Sequence, residues 1–251
     1  MSIDIWSQCQ GINHIQVLNE TAWRIVGTDG TAMRKLVDSY EEQEILENMI
    51  NKPKLISIKE NQRFHPLLIK PFEYRSYGSR FAKKSELGLW YGSLHPETTM
   101  AETAFYQFHF LRASEASYSL VKRQITLFST KVRTEKAIKL EKSPFSHYTK
   151  LISAPDVYKA SQQLGTAMRE SAIQAFTYQS ARDTKKSNNI ALFTPKAFRH
   201  HKPDAKSFQL WHCIASDNFI EFVRTNSIIR ETKIFSLNQF LVNGVLPFPA
   251  G

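Results

Sequence analysis

The sequence has 251 residues, of which 42% are hydrophobic and 22% are charged, a balance typical of a globular protein. It contains no run near the ~20 apolar residues that a membrane-spanning helix needs, and residues 1–11 lack the basic and apolar regions of a secretory signal. Cys9 and Cys213 are too few to build a disulfide framework in a chain of this length. We therefore expect a cytoplasmic protein that folds as one domain over residues 1–251.

The formal net charge of +10 is unevenly distributed along the chain. Residues 1–60 carry six Lys or Arg and nine Asp or Glu, a net charge of −3. The net charge is +8 over residues 61–150 and +5 over residues 151–251. A basic body favours an anionic ligand or partner, such as a nucleotide, a nucleic acid or an acidic protein, and charge alone does not distinguish these.

The first part of the chain predicts a strand and a long helix. Residues 21–27 favour a short strand that ends at the turn formed by Asp29 and Gly30. Apolar residues at helical spacing predict an amphipathic helix over residues 31–50, with glutamates on the other face and Pro53 after its end. This helix is either an ordinary surface helix or a surface for a partner or a second subunit.

The next part predicts a loop, a strand and a helix. Residues 66–87, which include two prolines and Gly78, are expected to form a basic loop. Residues 88–94 predict a buried strand that ends at His95-Pro96. A helix follows to about Leu111, and its predicted inner face consists of Met100, Ala101, Ala104, Phe105 and Phe108.

The remaining elements complete a mixed α+β domain. Strands are predicted at residues 118–128 and 188–194, and a helix at residues 156–177 with Asp156 as its N-cap. The inner stripe of that helix is expected to contain Val157, Ala160, Leu164, Ala167, Met168, Ser171, Ala172 and Ala175. The tail carries three more strand-like runs, in one of which the alternation typical of a half-buried strand is made by Phe208, Leu210, His212 and Ile214.

Several common functional motifs are absent from the sequence. It has neither the phosphate-binding GxxxxGK[ST] loop nor a GxGxxG loop after a strand, and it has no CxxC pair. GxSxG is also missing, so a serine-hydrolase elbow is not supported. The adjacent His200 and His201 lack the spacing of helical metal ligands, and we expect them to be surface residues. No metal is predicted.

Four pieces of the sequence together resemble the RES family, which is named for its Arg, Glu and Ser residues. They are AWRIVGTDGTAMRKLVDSYEEQEILENMI at 22–50, YGSRF at 77–81, LWYGSLHPETTMAETAFYQFHFL at 89–111, and YQSARD at 178–183 followed by NNIALF. The order and spacing of these pieces carry the resemblance, which extends over about residues 20–195.

The resemblance implies a function and a set of partners. RES family members are toxins of two-gene modules, and the partner antitoxin has a DNA-binding, Xre-like part. Their fold resembles that of ADP-ribosyltransferases, with mixed sheets, flanking helices and a cleft between sheets that binds NAD. Their activities are NAD phosphorolysis, NAD hydrolysis and, in some members, ADP-ribosylation of a protein. NAD would thus be a substrate rather than a cofactor, and inorganic phosphate a possible co-substrate.

The resemblance also implies site residues whose chemistry suits NAD cleavage. Glu102 would stabilise positive charge on the ribose or orient the nucleophile. Arg24 and Arg80 would complete the catalytic set by holding phosphate groups, which match the arginine fork. Tyr91 would contact the substrate, and Ser180 would donate a hydrogen bond to a phosphate or ribose oxygen. From the residues alone, Glu102 and Arg24 could instead face solvent, and Tyr91 could be a core residue.

Two details of the site are less regular. Arg182 lies near Ser180 and could also meet a phosphate, although it is not in the main predicted set. Many family members have an aromatic residue directly after the first arginine, where this chain has Ile25. Tyr74 or Tyr77 could substitute for the missing ring.

Two alternative functions remain open at the level of sequence. A mono-ADP-ribosyltransferase that modifies a protein would use the same residues as an NAD-degrading toxin. A nucleic-acid-binding module would instead use the basic stretch 61–150, which includes Lys83 and Lys84.

Overall fold

The computed structural model describes residues 4–27, 63–73, 77–113, 120–224 and 230–248. Its helices are α1 (Ile5–Gln8), α2 (Pro66–Ile69), α3 (Pro96–Ala113), α4 (Thr149–Ile152) and α5 (Lys159–Glu170). Its strands are β1 (Gln16–Gly27), β2 (Trp90–Ser93), β3 (Val121–Lys139), β4 (Ala175–Gln179), β5 (Asn188–Leu192), β6 (Gln209–Ala215), β7 (Phe219–Arg224) and β8 (Glu231–Ser236). The predicted turn at Asp29 and Gly30 and the predicted helix over 31–50 lie outside the described residues.

The eight strands form one mixed sheet in the order β1-β2-β5-β4-β3-β6-β7-β8. Only β3 and β4 pair in parallel among these neighbours, and β1 also pairs with β3 along most of its length. Because β1 meets β2 as well, at Trp23 opposite Ser93, five strands are linked in a closed circuit. A mixed sheet with flanking helices confirms the predicted α+β class.

Helix α3 packs across the sheet against β1, β2, β5, β6 and β7. Pro96 is its first residue, where the missing N–H is not needed for an intrahelical hydrogen bond. The predicted inner face is correct, and Phe105 and Phe108 share a core cluster with Trp211 and Phe222. Burial of each phenylalanine contributes about 1.5–3 kcal/mol, which fixes the helix against the sheet.

The two longest strands extend beyond their predicted ends. Strand β1 begins at Gln16, five residues before the predicted start, and β3 continues eleven residues past Phe128 to Lys139. The added part of β3 is rich in polar residues at exposed positions, which hid its alternation. It is held as a strand because β1 pairs with it as far as Ala137.

The predicted helix over 156–177 is too long at both ends. Helix α5 begins after Tyr158 rather than Asp156, and Val157 is 57% exposed instead of lying on the inner stripe. The helix ends before Ala172, whose φ of 57° is left-handed. Residues 175–179 form the buried strand β4, and a short apolar run of this kind does not reveal its period.

Two further predictions are corrected at the level of local structure. The expected loop 66–87 begins with α2 and the 3-10 helix Lys70–Phe72, which bury Leu68 and Phe72. In β6 the buried residues are Trp211, Cys213 and Ala215, so the core-facing side is opposite to the predicted alternation. This side faces the core because α3 covers it.

The structure agrees with the remaining expectations for isolated residues. His200 and His201 are exposed, and Cys9 and Cys213 are buried free thiols. Burial raises the pKa of the Cys213 thiol to about 12, so this group is unreactive at neutral pH. Within the described ranges, no helix is both long and apolar enough to cross a membrane.

Candidate active site

A cavity of about 590 Å³ brings together four of the five predicted site residues. Its walls come from β1, β2, α3 and the segment 77–89. Arg24, Arg80, Tyr91 and Glu102 all line it, whereas Ser180 does not. The volume falls within the range of ordinary small-molecule sites.

Glu102 lies in the second turn of α3 and is fixed by two hydrogen bonds to one carboxylate oxygen. Oε1 accepts from the Ser180 hydroxyl at 2.6 Å and from the Asn189 side-chain amide at 2.6 Å. Among the described residues, none donates a hydrogen bond to Oε2. One oxygen of Glu102 is therefore anchored, and the other is available to a molecule in the cavity.

Asn189 belongs to a second hydrogen bond that orients its amide. The Ser93 hydroxyl donates to Oδ1 of Asn189 at 2.7 Å, and the two residues are opposite each other on β2 and β5. Both are buried, so the amide is held with its NH₂ group toward Glu102. Sequence reasoning missed both residues, although a pair of asparagines at the start of an apolar strand is an unusual composition for a strand.

Ser180 directly follows β4, and its hydroxyl contacts Glu102 instead of facing the cavity. The side chain is 1% exposed, and its oxygen also accepts from the main-chain N–H groups of Arg182 and Asp183, each at 3.1 Å. The hydroxyl proton is used by Glu102. The expected hydrogen bond from Ser180 to a phosphate or ribose oxygen is thus not compatible with this geometry, and Ser180 is a positioning residue.

Arg80 is largely buried at the wall of the cavity. Its Nη1 donates to the main-chain carbonyl of Ala154 at 2.6 Å, and its guanidinium lies 4.3 Å from the centre of the Tyr158 ring. In the described ranges, no hydrogen bond uses Nε or Nη2 of Arg80. The guanidinium is therefore held in place by Nη1, and its Nε and Nη2 groups can donate hydrogen bonds to an anion.

Arg24 reaches the same cavity from β1. Its Nη1 donates to the main-chain carbonyl of Tyr91, and the guanidinium lies 5.4 Å from the Trp90 ring. The alternative of a solvent-facing strand arginine is therefore wrong. Ile25, which stands where the resemblance implies an aromatic residue, lines the cavity too.

Tyr91 connects β2 to the loop that carries Arg80. Its hydroxyl lies 2.9 Å from the Ser79 hydroxyl and accepts from the main-chain N–H of Phe81 at 3.2 Å. Burial raises the pKa of Tyr91, and the hydrogen bonds and the nearby Arg80 offset this only in part. The phenol therefore stays neutral at physiological pH, and its hydroxyl holds the loop at Arg80.

Arg182 braces the wall rather than facing the cavity. It donates to the main-chain carbonyl of Pro155 at 2.6 Å and to the Tyr158 hydroxyl at 3.3 Å. Its guanidinium also lies 3.4 Å from the centre of the Phe105 ring. Because Tyr158 packs on Arg80, Arg182 supports the position of Arg80 indirectly.

Tyr77 and Phe248 are exposed aromatic residues that line the cavity, and we call their side of it the mouth. Burial raises the pKa of a third lining ring, Tyr106, whose hydroxyl lies near Glu102 and Arg80. Tyr77 is one of the two tyrosines expected to replace the missing ring after Arg24, and Tyr74 lies outside the described residues. No group of three or more potential metal ligands occurs in the part of the chain that the structure describes.

A family model for the RES domain matches residues 58–212, more than half of the chain. The chain belongs to the RES domain family. The match contains Arg80, Tyr91, Glu102 and Ser180, but Arg24 precedes it. Its limits lie further toward the C-terminus than the expected resemblance over 20–195. No curated protein matches the chain significantly.

Proposed function

We propose that this RES domain protein is a toxin that degrades NAD by breaking the bond between nicotinamide and ribose. The single observation that carries the proposal is the state of Glu102, which has one anchored oxygen and one available oxygen in a cavity lined by Arg24 and Arg80. A carboxylate of this kind beside two cations suits a substrate with an anionic bridge and a developing positive centre.

The proposed reaction breaks the bond between ribose C1′ and the pyridinium nitrogen. Its electron pair leaves with nicotinamide, which becomes neutral, and C1′ gains oxocarbenium character. The available oxygen of Glu102 stabilises that charge at close range. An oxygen of phosphate or water then bonds to C1′, and its proton passes to Glu102 or to solvent.

Arg24 and Arg80 are proposed to bind the pyrophosphate. Both guanidiniums are already held by main-chain carbonyls, so substrate binding orders little further side-chain freedom. Tyr91 contributes by fixing the loop of Arg80, and Ser180 and Asn189 contribute by fixing Glu102. The site is therefore preorganised for charge stabilisation.

Replacement of Glu102 by glutamine tests the proposal. It keeps the size and the acceptor for Ser180 and Asn189 but removes the charge, and we expect nicotinamide release to fall about 1,000-fold, within the range of lost charge stabilisation. Purified protein is incubated with NAD and nicotinamide is quantified. Glu135→Gln, an exposed position on β3, is the matched control and should retain activity. Wild-type protein that leaves NAD intact under every acceptor condition would refute the proposal.

The acceptor distinguishes the proposed reaction from protein modification. The same incubation is run with phosphate, without phosphate, and with cell extract in place of phosphate. NAD loss without any protein acceptor supports phosphorolysis or hydrolysis. Loss that requires extract and labels a protein supports the alternative, a mono-ADP-ribosyltransferase.

The proposed biological context is a toxin–antitoxin module. RES domains are typically paired with an antitoxin. We propose an Xre-like antitoxin for this chain, encoded beside it, and a cytoplasmic location in which NAD is accessible. Co-expression with the adjacent reading frame should relieve growth arrest caused by the wild-type chain. A second copy bound through residues 31–50 remains a prediction.

A nucleic-acid-binding function would rest on the basic stretch and would not need Glu102. Charge reversal at Lys83 and Lys84, both exposed, would then abolish toxicity while Glu102→Gln would leave it unchanged. The cavity at Glu102 favours a small molecule, and we expect the opposite result.

A further inference from the structure

The C-terminal segment 240–248 is fixed against the molecule and ends at the mouth of the cavity, although it lies beyond the RES match. Phe240 and Leu246 are buried in the core cluster beneath α3. Between them, Val242 and Val245 exchange two main-chain hydrogen bonds of 2.8 and 3.0 Å. Asn243 and Gly244 have positive φ and complete a tight reversal of the chain.

His109 of α3 lies beside the end of this segment. The ring centres of His109 and Phe248 lie 5.7 Å apart in an edge-on contact. His109 follows Glu102 by seven residues and therefore lies on the same face of the helix, about 10 Å further along its axis. The helix that positions the proposed catalytic carboxylate thus also positions Phe248.

The two aromatic residues at the mouth are highly accessible for rings that line one cavity. Phe248 is 82% exposed and Tyr77 56%. They come from two separate segments, a loop and the C-terminal segment. A single exposed aromatic residue needs no explanation, but two from distant segments that line one cavity indicate a binding surface for an apolar or aromatic group.

We propose that Phe248, together with Tyr77, binds the adenine ring of the dinucleotide. This inference rests on the proposed function, because that function places the nicotinamide ribose at Glu102. The pyrophosphate then lies at Arg24 and Arg80, and the second base extends toward the mouth. Stacking on an exposed ring supplies about 1–3 kcal/mol per base and needs no fixed hydrogen bonds. Phe248 would be a specificity residue that the family match does not contain.

The test is a binding measurement that does not require turnover. In the Glu102→Gln background, calorimetry measures the dissociation constants of ADP-ribose, which has adenine, and nicotinamide mononucleotide, which lacks it. Phe248→Ala should weaken ADP-ribose about tenfold, which corresponds to ~1.4 kcal/mol, and leave nicotinamide mononucleotide within twofold. Phe248→Tyr should restore ADP-ribose binding. Phe219→Ala, at a partly exposed ring of β7 outside the cavity, is the matched control.

Three results would overturn the inference. ADP-ribose binding that is unchanged by Phe248→Ala would exclude a role for this ring. An equal loss for both ligands would place the nicotinamide half at the mouth or reduce Phe248 to a structural role. A loss that Phe248→Tyr does not restore would exclude stacking. Each result is independent of whether wild-type protein cleaves NAD, so failure here differs from failure of the proposed function.

Discussion

The inner end of the cavity and its mouth differ in the interactions that hold their side chains. At the inner end, Glu102 is held by Ser180 and Asn189, which are themselves held by further hydrogen bonds. At the mouth, the ring of Phe248 is mostly exposed and lies beside the ring of His109. Buried polar groups with fixed hydrogen bonds therefore surround Glu102, where the proposed reaction develops charge. Exposed aromatic rings lie at the mouth, where the substrate would only be bound.

The first test of this comparison is at Arg80, which lines the cavity and is proposed to bind the pyrophosphate. Arg80→Lys should lower kcat/KM for NAD about 100-fold. A lysine ammonium cannot reproduce the planar guanidinium geometry that donates to the Ala154 carbonyl and to a phosphate at the same time. Steady-state kinetics with Lys83→Gln as control checks this, since Lys83 is an exposed cation that lines the same cavity. An equal loss in both variants would mean that only total positive charge matters.

A smaller effect is expected at Asn189, where only the orientation of Glu102 is disturbed. Asn189→Leu should lower kcat about 10- to 30-fold with KM nearly unchanged, because a buried hydrogen bond to a charged group contributes roughly 1.5–3 kcal/mol. Asn189→Asp keeps the size of the side chain but removes the donor to Oε1 and adds a like charge there, so kcat should fall at least as far. An unchanged kcat in both variants would contradict the assignment of Asn189 as a residue that positions Glu102.

The smallest effect is expected at Tyr91, which supports the wall without facing charge development. Tyr91→Phe removes the hydrogen bonds with Ser79 and Phe81 and should reduce the free energy of unfolding by about 1 kcal/mol in urea denaturation. Because burial raises the pKa of Tyr91, the phenol stays protonated below pH 10. The variant should therefore keep the wild-type pH profile, and a lost basic limb would assign a direct role to the hydroxyl.

The same contrast explains what the sequence could predict. The resemblance to the RES family selected Glu102 and Arg80, whereas the residue pattern alone left open that Glu102 faces solvent. The role of Ser180 and the existence of the Asn189 relay could not be predicted, because they depend on which strands become neighbours. Strand β4, which precedes Ser180, was expected to be helical since a short buried strand carries no period of its own.

The packing of α3 was predictable for a related reason. Its apolar residues recur at helical spacing from Met100 to Phe108, over about 2.5 turns, so the buried face follows from helical geometry. The position of Phe248 was not predictable, because it depends on the tight reversal at Asn243 and Gly244 and on the contact with His109. Long-range contacts of this kind connect residues far apart in the chain and leave no local signal.

Strand β1 lies outside the region matched by the RES family model but is part of the folded domain. It precedes the matched region, yet it covers β3 along most of its length and supplies Arg24 to the cavity. A fragment trimmed to residues 58–212 would expose the edge of β3 to other chains and would lose one wall of the site. The domain that folds is therefore larger than the matched region 58–212. We expect fragments cut at the limits of the match to aggregate and fragments that include β1 to remain active.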